Sequence, residues 1–321
     1  MRLLIACSVD PDALARLSED HEVTSVLQAS EEELIEAIRG KDVLLFRSGV
    51  TISKRVLAAG SELKLIIRAG SGLDNIDVEE ATRRGLRLER IHGPSAQAVA
   101  ELTFAHMLSL ARNVRLADSL LREGRWSKYD LDNFLLSKKT LGIVGAGNIG
   151  GRVGELGVAW GMRVIGCVSP LSNDKSDALK ACGIELADFD YVIRTADFLT
   201  IHVPLNDSTR GLIGANALAR MKVGSFLVNM ARGGVVDEAA LYDALTSGKR
   251  LRGAGLDVHE NEGPGKLSPF QDLPNVVLTP HVGATTQDTQ RAIGQEILAI
   301  IEAFESERSP TQTVSGARGG A

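Results

Sequence analysis

The sequence predicts an α/β protein made of two doubly wound parallel sheets. Short apolar runs alternate with helix-like segments through the first hundred residues, and the alternation starts again at Thr140. A glycine-rich turn separates strand from helix at this second start. Alternating strands and helices form parallel sheets that helices cover. Since 321 residues are many for one core, two domains are expected.

The first domain is predicted from its apolar runs and its helix starts. Continuous apolar runs are typical of buried parallel strands, and they occupy 3–6, 43–46 and 63–67. The segments 30–39 and 53–59 each begin with serine, which caps helix N-termini, so both are predicted to be helices.

The second alternation follows a long helix. This helix is predicted to begin at Gly93-Pro94-Ser95 and to end near Asn113, and the polar passage 122–139 predicts a surface connection. Further strands are predicted at 140–144, 163–168, 198–202, 225–229, 253–257 and 276–278. Helices are predicted from Asn148 onward, over 237–246 and over 285–306, with a disordered tail over 307–321.

The composition excludes several classes of partner. A net charge of -5, a pI near 5.8 and 4% aromatic residues argue against a nucleic-acid surface. Because no segment approaches the roughly 18 apolar residues of a membrane span, no membrane partner is predicted. Cys7, Cys167 and Cys182 form no disulfide framework, and the first apolar run is too short for a signal peptide, so a cytoplasmic protein is expected. No metal site is predicted.

The glycine-rich turn lies between a predicted strand and a predicted helix. Gly145 permits the tight turn, Gly147 lets a pyrophosphate approach the backbone, and Gly150 allows close packing of helix on strand. Amides at the helix start hold the phosphates. The alternative is a plain packing turn, which the strand-turn-helix context disfavours.

The end of the next strand bears on which dinucleotide is bound. An acidic residue usually stands there and binds the adenosine ribose, but Val168 and Ser169 occupy this position. Without the carboxylate, repulsion of a 2′-phosphate weakens. NAD is the predicted cofactor, and NADP becomes tolerable.

Three ionisable side chains follow predicted strands further along the chain. Arg232 could grip a carboxylate and an adjacent carbonyl oxygen in two places, whereas a surface pair with Asp237 is the alternative. His281 could carry a proton near neutral pH, or could be structural. A carboxylate beside that imidazole would orient it, and on spacing alone Glu260 and Glu262 compete for this place.

Several long motifs resemble those of the D-isomer-specific 2-hydroxyacid dehydrogenase family, in family order and over about 43–301. They are Arg68-Ala69-Gly70-Ser71-Gly72-Leu73-Asp74-Asn75-Ile76-Asp77, Ala100-Glu101-Leu102-Thr103, Thr140-Leu141-Gly142-Ile143-Val144-Gly145, His202-Val203-Pro204-Leu205, and the segments around Arg232 and His281. The resemblance is strongest to the short form of D-3-phosphoglycerate dehydrogenase.

The resemblance implies two Rossmann-like domains. A flavodoxin-like substrate domain, residues 1–94 and 286–306, is expected to be split around a dinucleotide-binding domain, residues 95–285. The latter is expected to carry a dimer arm, which implies a homodimer.

The resemblance also implies the roles of individual residues. Arg232, Glu262 and His281 match the catalytic set, so Glu262 is preferred over Glu260. Cofactor contacts are implied for Gly145, Gly147, Asn148, Ile149, Gly150, Val168, Ser169, His202, Val203, Pro204, Met230, Ala231, Arg232, Asp257, His281, Gly283 and Ala284. Substrate contacts are implied for Arg47, Ser71, Gly72, Arg232 and His281.

The implied activity is hydride transfer between a nicotinamide cofactor and a D-2-hydroxy acid or 2-oxoacid. A 3-phosphoglycerate dehydrogenase-like activity is the first expectation. Reduction of hydroxypyruvate, glyoxylate or another 2-oxoacid is an alternative, because the substrate-facing segments 47–50 and 91–97 depart from the family pattern. A dinucleotide-sensing corepressor-like binding protein is an alternative of another class.

Overall fold

The chain forms two compact units, each with a parallel sheet of its own. The computed structural model describes residues 1–70, 72–168, 173–247 and 250–308. The split unit comprises Met1–Ile91 and the chain from Gln290 onward, and the central unit comprises His92–Thr289. The predicted α/β class with two doubly wound sheets is confirmed. The boundaries predicted at 94 and 286 lie within a few residues of those between the units.

The split unit contains five parallel strands in the order β2-β1-β3-β4-β5. The strands are β1 (Arg2–Ala6), β2 (Glu22–Ser25), β3 (Val43–Phe46), β4 (Leu65–Arg68) and β5 (Arg87–Arg90). The helices between them are α1 (Pro11–Asp20), α2 (Glu31–Ala37), α3 (Lys54–Ala59) and α4 (Val78–Arg83). This order is that of flavodoxin-like folds.

Local sequence explains where these elements start and which strands are central. Every residue of β3 and β4 is buried, as expected for inner strands with helices on both faces. The carboxylate of Asp10 caps α1, and Pro11 occupies its first turn. A reciprocal pair of hydrogen bonds between Ser30 and Glu33 caps α2.

The central unit contains seven parallel strands in the order β12-β11-β10-β9-β6-β7-β8. The strands are β6 (Thr140–Val144), β7 (Arg163–Cys167), β8 (Ile184–Leu186), β9 (Phe198–Ile201), β10 (Ser225–Asn229), β11 (Leu251–Leu256) and β12 (Val276–Leu278). The helices are α5 (Ser95–Ala111), α6 (Val114–Arg122), α7 (Asn148–Ala159), α8 (Asn173–Ala181), α9 (Phe189–Thr195), α10 (Ala215–Arg220) and α11 (Glu238–Thr246).

The last helix, α12 (Gln287–Arg308), returns the chain to the split unit. Its residues Ile293, Ile297 and Ile301 recur at helical spacing and pack with the β1 residues Leu3 and Ile5. The helix continues through Arg308, so the end predicted at residue 306 was too early. The rest of the predicted tail, 309–321, lies outside the described residues.

The long helix predicted from Ser95 to near Asn113 corresponds to α5, whereas α6 was not predicted. Asn113 has a φ of 50°, in the left-handed region, and separates buried α5 from α6, which has no buried residue. The polar passage after α6 contains no named helix or strand, as predicted. Among the described residues, no helix combines the length and apolar character needed to cross a membrane.

Candidate active site

The backbone of the glycine turn between β6 and α7 requires glycine at two positions. Gly145 has a φ of +95°, and a Cβ there would lie 2.7 Å from the carbonyl oxygen of His202. A Cβ on Gly150 would overlap the carbonyl group of Gly145. Side chains at these two positions would therefore push the helix away from the strand.

The N-terminus of α7 is open to an anion. Gly147 precedes this twelve-residue helix, and no side chain of the described residues caps it. Apart from the chain neighbours of Gly147, no heavy atom of the described residues lies within 4 Å of a Cβ built there, and both Gly147 and Asn148 are exposed. The first amides of a helix lack intrahelical acceptors and carry its positive end. The turn therefore fits the pyrophosphate of a dinucleotide, with the amides of Asn148 and Ile149 as donors.

The predicted cofactor residues His202 and Val203 lie against this turn, and Val168 follows Cys167, whose carbonyl oxygen accepts from the amides of Gly145 and Ala146. Val203 Cγ1 would lie 2.8 Å from a Cβ on Gly145. His202 Nε2 lies 2.8 Å from Thr200 Oγ1, and burial lowers the pKa of His202 to about 3, which keeps the ring neutral. Val168 is half-buried at the end of β7, and the predicted Ser169 lies outside the described residues.

Arg232, Glu262 and His281 follow the carboxyl ends of three neighbouring strands. They come after β10, β11 and β12, which pair in that order. Parallel strands end at one edge of their sheet, where open α/β folds bind ligands. The sheet therefore brings these segments, distant in sequence, to one side of the central unit.

His281 and Glu262 form a hydrogen-bonded pair. His281 Nδ1 lies 2.8 Å from Glu262 Oε2. Because an ionised carboxylate only accepts, the ring donates through Nδ1, which leaves Nε2 for proton exchange. Burial alone would raise the pKa of the Glu262 carboxyl, but the hydrogen bond and charge of His281 and the amide of His259 together hold it below its usual value.

The backbone at His281 is strained, and hydrogen bonds to Asp257 hold it. Its φ of 55° lies in the left-handed region, which few residues other than glycine adopt. The His281 amide donates to the carbonyl oxygen of Asp257 at 2.7 Å. The buried Asp257 carboxylate accepts from the amides of Val282 at 2.9 Å and Gly283 at 2.8 Å. Asp257, predicted to contact the cofactor, thus also fixes the turn that carries His281.

The Arg232 segment is fixed by its own side-chain and backbone bonds. Asn229 Oδ1 accepts from the amide of Ala231, and Asn229 Nδ2 donates to the carbonyl oxygen of Arg232, both at 3.1 Å. A Cβ on Gly233 would overlap the carbonyl group of His259. The Arg232 segment therefore lies directly against the segment that leads to Glu262.

Glu260, the competing acid, contacts a different group. Its amide donates to Glu238 Oε1 at 2.9 Å, and its Oε1 accepts from the amide of Glu238 at 3.3 Å. The structure thus places Glu262 against His281 and Glu260 against the start of α11. Of the two acids left open by spacing, only Glu262 pairs with the imidazole.

The remaining predicted site residues divide between the two units. Met230 and Ala231, within the Arg232 segment, are buried, Ala284 is half-buried and Pro204 is exposed. In the split unit Arg47 is half-buried and Gly72 is buried, while Ser71 lies outside the described residues.

Sequence reasoning gave no role to His106 and Thr279, which lie beside the His281 turn, or to Glu238, which contacts Glu260. His106 and Glu238 are buried polar residues, and Thr279 is half-buried. Each is hydrogen-bonded to a group at least 22 positions away in the sequence.

The chain belongs to the family of D-isomer-specific 2-hydroxyacid dehydrogenases. The model of this family's NAD-binding domain matches residues 104–283. These residues contain the glycine turn and all three of Arg232, Glu262 and His281. The predicted family is therefore confirmed.

Individual relatives agree with this family. The chain is 41% identical over 295 residues to D-3-phosphoglycerate dehydrogenase of Methanocaldococcus jannaschii, covering 92% of this chain and 55% of the relative. It is 42% identical over 285 residues to hydroxypyruvate reductase of Thermotoga maritima, covering 88% and 90%. The chain thus spans about half of the first relative and most of the second.

A solved structure shows the same fold. D-lactate dehydrogenase from Aquifex aeolicus, complexed with NAD and lactic acid, superposes with a TM-score of 0.86 at 26% identity. The match covers 96% of both chains.

Proposed function

We propose that this protein is a nicotinamide-dependent D-2-hydroxyacid dehydrogenase. The observation that carries the proposal is the 2.8 Å pair between His281 Nδ1 and Glu262 Oε2, on strand ends next to the one that carries Arg232. An oriented imidazole on the same sheet edge as a guanidinium is suited to move a proton at the oxygen of a bound 2-hydroxy acid.

Each of the three side chains has one role in this proposal. Arg232 binds the substrate carboxylate and polarises the oxygen on C2. His281 Nε2 takes the hydroxyl proton during oxidation and returns it during reduction. Glu262 holds the His281 tautomer and stabilises its protonated form.

The proposed cofactor is NAD. It would supply the site that accepts or donates the hydride, and the fold supplies orientation. The amides at the start of α7 would hold its phosphates, and Asp257, at the edge near His281, would meet its nicotinamide amide. Because Val168 follows β7 at a position where a carboxylate is usual, NADP is the second cofactor to test.

The proposed substrate is 3-phosphoglycerate. A relative named for this activity is 41% identical, but the chain covers only 55% of it. Hydroxypyruvate is the second candidate, because the chain covers 90% of a hydroxypyruvate reductase at 42% identity.

A cytoplasmic homodimer completes the proposal. Large apolar side chains are exposed along α6 and the connection after it, with Trp126 79% and Tyr129 86% exposed. Leu121 and Leu135 are also exposed in this segment, a grouping typical of a surface that pairs with another chain. The described cysteines are free thiols, which suits a reducing compartment. Sedimentation of the full chain, compared with a Trp126→Asp variant, tests the dimer.

The deciding experiment is a panel of 2-oxoacids and 2-hydroxy acids assayed with NAD(H) and NADP(H) in parallel. Turnover is expected, together with a loss of about 10²–10⁴-fold in kcat for His281→Gln at unchanged cofactor affinity. Equal loss of both in that variant would indicate a structural histidine. Tight dinucleotide binding with no turnover of any acid would instead favour the corepressor-like binding protein.

A further inference from the structure

Two histidines outside the catalytic set bind one residue, Thr279, two positions before His281. His106 Nε2, on α5, lies 2.9 Å from the Thr279 hydroxyl oxygen. His259 Nε2 lies 3.0 Å from the Thr279 carbonyl oxygen. Both contacts fall on the residue that leads into the strained His281 turn.

The directions of these hydrogen bonds follow from their end points. The Thr279 hydroxyl donates to Asp257 Oδ1 at 2.6 Å, so the same oxygen must accept from His106. The carbonyl oxygen of Thr279 likewise accepts from His259. Each imidazole therefore carries its proton on Nε2. The hydrogen bonds run from His106 to Thr279 and on to the Asp257 carboxylate, which also accepts from the amides of Val282 and Gly283.

The surroundings of His106 keep it in this donor form. The ring is 1% exposed, and its Nδ1 has no hydrogen-bond partner among the described residues. A Cβ on Gly255 would lie 2.6 Å from that Nδ1, so β11 leaves room for the ring only because glycine stands there. Burial lowers the pKa of His106, which keeps the ring neutral although it lies near Asp257. A second proton on Nδ1 would be buried without an acceptor.

We propose that His106 and His259 are positioning residues that hold Thr279 from its two sides and thereby keep His281 in its strained conformation. Neither ring needs to meet the substrate. This inference rests on the proposed proton-transfer role of His281. A strained residue persists only where its surroundings over-determine it, and these two donors supply part of that restraint.

The kinetic test compares His106→Leu with His106→Gln, because the glutamine amide can replace the Nε2 donor. The leucine variant is expected to lose about 10-fold in kcat with cofactor KM within twofold, as misplacement of a catalytic group predicts. The glutamine variant should recover most of this loss. His259→Phe keeps an aromatic ring without the donor and should lose about threefold.

Thr103→Val is the matched control. Thr103 is equally buried on α5 but donates to the carbonyl oxygen of Val99 within its own helix. It should keep wild-type kcat whatever its melting temperature. If Thr103→Val loses as much turnover as His106→Leu, or if glutamine rescues nothing, the positioning role is refuted while the proposed enzyme activity stands.

A second readout does not depend on turnover. In ¹⁵N-edited spectra of the full chain, the His281 Nδ1 proton should exchange faster in His106→Leu than in wild type, and normally in His106→Gln. If no acid is turned over by the wild type, the proposed function fails, and this exchange rate alone decides the positioning role. Unchanged exchange in His106→Leu would refute it.

Discussion

The helices that follow the first strand of each sheet, α1 and α7, differ in how their N-termini are capped. In the split unit, the Asp10 carboxylate accepts from the amide of Ala13 at 3.2 Å, and Pro11 removes one further donor. In the central unit, Gly147 stands at the corresponding place before α7, with no side-chain cap from the described residues. The N-terminus of α1 is therefore capped by its own sequence, whereas the N-terminus of α7 has no side-chain cap from the described residues.

The two turns share a backbone plan and differ in whether the helix N-terminus can accept a ligand. Both turns join a buried parallel strand to a helix, so the backbone plan is the same. An acid and a proline satisfy α1 locally, whereas glycine leaves the amides and positive end of α7 to a ligand. This difference supports the proposal that the dinucleotide binds at the N-terminus of α7 and not at that of α1.

The largest effect is expected from closing the open turn. Gly147→Asp places an acid where the side chain has open space, so the fold should hold and α7 should gain a cap. The carboxylate would repel the pyrophosphate, and NAD affinity should fall about 100-fold or more. Titration calorimetry measures this. Gly147→Ala is the control and should bind NAD well; equal loss in both variants would contradict the electrostatic explanation.

A smaller loss is expected from crowding the same turn. A Cβ at Gly150 overlaps the carbonyl group of Gly145, so Gly150→Ala should cost about 1–3 kcal/mol of stability. Urea unfolding of the full chain measures it. In the control Gly151→Ala, the new Cβ would meet Leu179 Cδ2 at 3.4 Å and no other atom of the described residues outside its own helix turn, so its stability should match or exceed that of wild type. Equal stability of the two variants would argue against close packing.

Removing the side-chain cap of α1 should lower the stability of the protein without changing its NAD affinity. Asp10→Ala removes the cap of α1 and should cost about 1 kcal/mol. NAD affinity should be unchanged, because the substitution lies in the other unit. Asp10→Asn keeps a capping oxygen and serves as control. A shift in NAD affinity in Asp10→Ala would show that the two turns are not independent.

The smallest effect is expected at Glu262, an acid that pairs with His281 and does not cap a helix. The pKa of Glu262 is lowered on folding from a reference of 4.5. Its contribution is therefore complete above pH 4.5 and is lost as the pH falls through the folded value. Because the carboxylate is 39% exposed, a few tenths of a kcal/mol are expected. The stability difference between wild type and Glu262→Gln should shrink below pH 4.5; a constant difference would refute the ionic contribution.

Much of the fold could be predicted from the sequence because inner strands are continuous apolar runs. The prediction for β3 was correct to the residue, and those for α2 and α3 followed their serine caps. The strands β2, β5 and β8 were missed. All three lie at sheet edges and are only partly buried, so none contains a continuous apolar run.

The site was predictable only in part. Arg232 and His281 stand in long motifs, but spacing could not separate Glu260 from Glu262. Their partners separate them in space, since one meets α11 and the other meets His281. The bond from His106 to Thr279 joins residues 173 positions apart, which local patterns do not encode.

The arrangement of Arg232, Glu262 and His281 on three adjacent strands has an evolutionary consequence. All three are carried by one stretch of the central unit, whereas the predicted substrate residues Arg47 and Gly72 belong to the split unit. Under the proposed function, substitutions at Arg47 or Gly72 would alter substrate contacts without changing the unit that carries Glu262 and the paired His281. Selection on acid preference would then act on residues that are separate in the fold from the proton-transfer pair.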